Sequence, residues 1–120
     1  MAIMSQDDME SLKLHRRIRT GLIARLNDEF RMSSDNDALV MLTVQVAELA
    51  ESESIMQVVR DFDRFDEPHS EHDVGHFGWQ GERLVWKIDC YDYNGVWVSW
   101  VDPQSKDCVR GLTVMRADEY

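Results

Sequence analysis

Apolar residues recur at Met9, Leu12, Ile18, Leu22, Ile23, Leu26 and Phe30, the spacing of one face of an α-helix. Ser5, followed three residues later by Asp8, resembles a capping box, in which side chains satisfy the unpaired amides of a helix start. The pattern therefore predicts a long helix that ends in the run Ser33-Ser34-Asp35-Asn36-Asp37. Lys13, Arg16, Arg17 and Arg19 point away from much of the stripe and form a solvated face. Residues 38–44 are rich in Val, Leu and Met and short enough for a buried strand, although periodicity leaves open a continued helical segment through Val46 and Leu49. A second amphipathic helix starts near Ser52 or Ser54, presents Ile55, Met56, Val59, Phe62 and Phe65, and cannot continue past Pro68.

Beyond Pro68 the period changes from helical to alternating. Residues 74–79 and 83–91 flank a Gln80-Gly81-Glu82 turn, a hairpin signature. In the second strand Leu84, Trp86, Ile88 and Cys90 share one face, and Arg83, Lys87 and Asp89 the other. Tyr93-Asn94-Gly95 offers a further turn, residues 96–101 a further strand, and Asp102-Pro103 a break before a last strand over 108–115. The fold expected is α+β: two main helices packed on an antiparallel sheet of four to five strands, in one domain spanning residues 1–120.

Charge sharpens this picture. The net charge is −10, and it is unevenly spread: residues 1–32 carry +1, residues 33–82 carry −10 and residues 83–120 carry −1. Such a field repels nucleic acid and steers cationic partners toward the middle of the chain. No apolar run approaches a membrane span, and the opening MAIMSQDDME has no basic and apolar leader pattern, so a cytoplasmic protein is expected. Cys90 and Cys108 have no CxxC spacing and fall on separate predicted strands; two small buried or half-buried thiols are expected of them.

Three constellations can carry chemistry, all centred on residues 61–76. His69, His72 and His76, with Asp73 and with Asp89 or Asp92 from a neighbouring strand end, are ligand types for a first-row metal, although their spacing is not that of HExxH. In a strand His72 and His76 would share a face; alternatively His72 and Asp73 merely fix the turn. His72 beside Asp73 could also form an oriented imidazole for acid–base work, but no nucleophile or phosphate-binding loop accompanies it. Finally, Asp61, Asp63, Asp66, Glu67, Glu71 and Asp73 place six carboxylates within thirteen positions. They could engage Lys and Arg on a protein whose basic surface binds nucleic acid, with Trp79, Trp97 and Trp100 as aromatic anchors.

The motifs Pro68-His69-Ser70-Glu71-His72-Asp73-Val74-Gly75, Gly81-Glu82-Arg83, Trp86-Lys87-Ile88-Asp89, Tyr91-Asp92 and Leu112-Thr113-Val114-Met115 with a terminal Glu119-Tyr120 occur in this order. Together they resemble a family of small proteobacterial proteins of unknown function, often carried on plasmids and other mobile elements, whose members read PHGEHDFG, GER, WKIDYYD and RVLTIM before a final EY. The resemblance covers most of residues 60–120, with departures at Ser70 for Gly, Val74 for Phe, Cys90 for Tyr and through the stretch between Asp92 and Asp102. It implies a setting rather than an activity: small acidic proteins of mobile elements include inhibitors of host defence such as anti-CRISPR proteins. The expectation is a non-enzymatic acidic protein-binding module that blocks a basic surface of a host defence complex by charge mimicry, without a cofactor. The alternatives are a metal-dependent hydrolase or metal-binding protein built on the 69–76 loop, and a homo-oligomer that buries its tryptophans.

Overall fold

The computed structural model describes residues 3–33, 40–49, 51–65, 70–91 and 101–120. The first helix, α1 (Gln6–Met32), begins as its capping signal requires, with the Ser5 hydroxyl accepting the Asp8 amide at 3.1 Å. There follow β1 (Val40–Leu42), α2 (Val44–Ala47), α3 (Ser52–Arg60), β2 (Val74–Trp79), β3 (Glu82–Tyr91), β4 (Val109–Arg116) and a final 3-10 turn (Ala117–Glu119). The ambiguous stretch after α1 thus resolves into both of its readings, a short strand and then one helical turn. The Tyr93-Asn94-Gly95 turn, Trp97, Trp100 and most of the strand expected over 96–101 lie outside the described residues; Val101 is not in a strand.

The described strands form one sheet in the order β1-β4-β3-β2. The hairpin is tighter than expected: Glu82 is already in β3, and Gln80 and Gly81 turn the chain with φ of 47° and 83°. Positive φ at both loop positions matches the twist of the flanking strands. β3 and β4 run antiparallel from Leu84↔Arg116 to Tyr91↔Val109. β1, however, lies parallel to β4, with Val40 opposite Leu112, so the sheet is mixed rather than antiparallel. Among the described residues, α2, α3 and the β2–β3 hairpin intervene between these strands, and such a long crossover permits parallel pairing where a tight turn does not.

α2 and α3 cover one face of the sheet. Val46, Ile55, Met56 and Val59 pack on Leu84, Trp86, Ile88, Leu112 and Val114, all buried, with Phe62, Phe65, Phe77 and Trp79 closing the margin. Gly75 lies opposite Trp86 in the register, and the indole and the Phe62 ring occupy the space a side chain there would need. On the other face Val85 is buried, and Tyr120 meets His76 edge-on at 5.8 Å between ring centres.

Two further expectations fail. The apolar stripe of α1 is not the docked face: Met9, Leu12, Ile18, Leu22 and Leu26 are exposed, and only Ile23 of that set is buried, with Phe30 half-buried. The helix docks instead through Ile23, Ala24, Asn27 and Arg31, at the i, i+1, i+4, i+8 spacing of one face, because buried partners await its two polar groups. Cys90 and Cys108 are likewise not separate thiols but a disulfide, with Cα atoms 5.4 Å apart. The β3–β4 register explains it: Cys90 pairs with Arg110, and Cys108 lies two residues before Arg110 on the same side of the chain.

Candidate functional site

The polar face of α1 meets the turn that leads into β2. Asn27, buried, donates from Nδ2 to the Glu71 carbonyl at 2.9 Å and accepts from Arg110 Nε at 2.7 Å. One residue on, both carboxylate oxygens of Asp28 lie 3.0 Å from His72 Nδ1. Asp28 also accepts from Arg31 Nη2 at 3.0 Å. Arg31 is itself buried; its guanidinium donates to the Val59 and Arg60 carbonyls and lies 5.6 Å from the Phe65 ring centre and 5.1 Å from that of Trp86. These contacts satisfy Nη1 and Nη2, while Nε is buried without a hydrogen-bond partner among the described residues, so part of the desolvation cost of this cation stays unmet.

His72 sits in the left-handed region at φ 55°, its amide bonded to Ser70 Oγ at 3.2 Å and its ring stacked on Phe65 at 3.7 Å. A carboxylate only accepts, so Asp28 holds Nδ1 as the donor and leaves Nε2 as the acceptor of the neutral ring. The imidazole and Asp28 are 27% and 31% exposed and border a cleft of about 420 Å³ shared with Arg17, Arg25 and Ser70. An oriented imidazole beside solvent can take up or release a proton at a bound group.

The orienting carboxylate is therefore Asp28, not the neighbouring Asp73, and α1, not the loop itself, supplies it. Nor do His72 and His76 share a strand face: β2 begins only at Val74. Asp89 is paired with Lys87 at 3.3 Å. Among the described residues no group of three His, Cys, Asp or Glu side chains is placed to hold a metal ion. His69 and Asp92 lie outside the described residues.

The acidic candidates divide. Asp61 and Asp63 are exposed and line a groove of about 560 Å³ between α3 and β2, together with Arg64, His76 and Trp79. The Trp79 indole N–H is buried there without a hydrogen-bond partner among the described residues. Asp61 accepts from Gln57 Nε2 at 3.0 Å. Glu71 and Asp73 are half-buried on either side of His72 and line neither cleft; their backbone carbonyls accept from Asn27 and from the Ile88 amide. Asp66 and Glu67 lie outside the described residues.

A model of proteins of unknown function, DUF3768, matches residues 42–119. The chain belongs to that family. No curated protein and no solved structure matches it. The matched stretch runs from the end of β1 through the final 3-10 turn and holds His72, Arg110 and both cysteines, whereas Asn27, Asp28 and Arg31 on α1 precede it. The site thus joins the family segment to a helix outside the match.

Sequence reasoning missed Asn27, Asp28 and Arg31. The one signal available was their position: polar residues at i, i+1 and i+4, within the two or so turns that follow Ile23 and Ala24, the start of the docked face. No helix among the described residues is long and apolar enough to cross a membrane.

Proposed function

We propose that this chain is a non-enzymatic, acidic protein-binding module that covers a basic, nucleic-acid-binding surface of a partner in the cytoplasm. The observation that carries the reading is the exposed pair Asp61 and Asp63 on the groove beside Trp79, within the segment that carries the whole charge excess. Carboxylates at the rim supply steering and register, and a half-buried tryptophan supplies an anchor. Arg64 on the same groove offsets part of this charge and would give the contact direction rather than bulk attraction. The motif resemblance supports a finer form of the proposal: carriage on mobile elements, and a host defence complex as target, as with anti-CRISPR inhibitors.

The test is capture of partners from a nuclease-treated lysate bearing defence systems, by the native chain and by an Asp61→Asn/Asp63→Asn variant. The reading expects a stoichiometric nucleic-acid-binding partner whose affinity falls roughly tenfold in the variant and weakens with salt. Equal capture by both chains would overturn it.

A second reading rests on the His72–Asp28 pair: acid–base chemistry on a small molecule in the neighbouring cleft. It predicts that His72→Gln removes turnover or ligand binding, whereas the groove variant leaves both intact.

A further inference from the structure

We propose that Cys108 is a reactive thiol site: the Cys90–Cys108 bond exchanges with thiol reductants, and the Cys108 thiolate so released is held by Arg110. The guanidinium Nη1 lies 3.7 Å from Cys108 Sγ. It is fixed from two other directions, Nη2 donating to the Pro103 carbonyl at 2.6 Å and Nε to Asn27 Oδ1 at 2.7 Å. A cation fixed in this way meets the sulfur in both redox states. It favours the anion that only the reduced state contains, which makes the bond easier to reduce. Cys108 and Arg110 also border a hollow of about 480 Å³ with Glu29 and Phe30, which opens Cys108 to labelling reagents, and Cys90, the sulfur attacked in the exchange, is half-buried rather than buried.

Among the described residues, the other charges near the pair are accounted for. Glu29 is bonded to Arg25 at 3.2 Å, Asp89 beside Cys90 is paired with Lys87, and Lys106 and Asp107 are exposed just before Cys108. Among the described residues, Arg110 is the cation placed on the sulfur.

In the exchange, a reductant thiolate attacks Cys90 Sγ and forms a mixed disulfide. The S–S bond breaks, and its electron pair leaves on Cys108 as thiolate. A second reductant thiolate then attacks the reductant sulfur of the mixed disulfide, releasing the oxidised reductant and the Cys90 thiolate, which takes a proton. Two thiols supply the two electrons. The segment this bond ties down grips α1, since Arg19 Nη1 donates to Asp102 at 3.2 Å and to Gln104 at 2.7 Å. Redox state is thereby linked to the helix that carries Asn27 and Asp28.

The full chain is equilibrated with mixtures of reduced and oxidised glutathione, and free thiols are counted by maleimide mass tagging. Arg110→Gln should need at least about threefold more reducing mixtures, and Arg110→Lys should stay near the native chain. In the reduced native chain, limiting iodoacetamide at mildly acidic pH should label Cys108 before Cys90. The proposal is overturned if Arg110→Gln equilibrates like the native chain, if Cys90 is labelled first, or if the air-oxidised chain carries two unpaired thiols. Should Arg110→Gln not fold, the labelling order in the native chain decides.

Discussion

His72 Nδ1 lies 3.0 Å from both carboxylate oxygens of Asp28, a residue 44 positions earlier in the chain. This contact, with the Arg31–Asp28 pair behind it, fastens α1 to the turn before β2. Asp28→Ala leaves Arg31, 2% exposed, with only its two carbonyl acceptors and ring faces. It should cost about 2–3 kcal/mol, toward the low end for breaking a buried pair because part of the charge remains satisfied. Urea unfolding of the variant measures this, and Asp28→Asn, which keeps an acceptor oxygen, should lose less.

Gly75 makes a sharper packing prediction. A methyl there would collide with the Trp86 indole and sit 2.8 Å from the Phe62 ring, in a core with no slack. Gly75→Ala should destabilise by about 2–3 kcal/mol. Gly78→Ala in the same strand is the control, since the nearest atom to its added methyl is the Glu82 carbonyl oxygen at 4.0 Å. Thermal denaturation of the two variants should separate them clearly.

The disulfide should contribute measurably. It closes a loop across a sequence separation of 18, for which chain-entropy reasoning gives about 3 kcal/mol. A Cys90→Ser/Cys108→Ser variant should unfold at correspondingly lower urea than the oxidised native chain. A midpoint unchanged by the substitutions would show that the bond constrains little.

The Asp102 carboxyl is held below its ordinary pKa, first by the Gln104 amide it accepts and then by Arg19. A carboxylate depressed in the folded state contributes fully above its unfolded pKa, and that contribution is lost as pH falls through the lower folded value. The Arg19–Asp102 contact should therefore persist through neutral and mildly acidic solution and open only below the ordinary carboxylate range. A carbon-detected NMR titration of Asp102 reads this directly, and Arg19→Gln should move its midpoint upward.

The hairpin and the last strand were legible because alternation and turn residues act within a few positions, as Leu84, Trp86 and Ile88 on the buried face show. The direction of β1 was not, because Val40 meets Leu112 across most of the chain and no local pattern encodes that pairing. The docked face of α1 was hidden for a different reason. Its anchors include Asn27 and Arg31, which a hydrophobicity pattern assigns to solvent, while Leu22 and Leu26, which it assigns to the core, stay exposed. That Asp61 and Asp63 line a groove with Trp79, and Glu71 and Asp73 do not, depends on how α3 sits on β2, which no local pattern encodes.

The sheet order β1-β4-β3-β2 sets the timing of assembly. β4 is the last strand in chain order, yet it lies between β1 and β3. During synthesis β1, β2 and β3 leave the ribosome before β4, so among the described strands β1 has no partner, and one edge of β3 stays unpaired, until β4 arrives. Chains truncated before residue 109 should stay protease-sensitive, and resistance should appear in one step once residues 109–116 are included, rather than strand by strand.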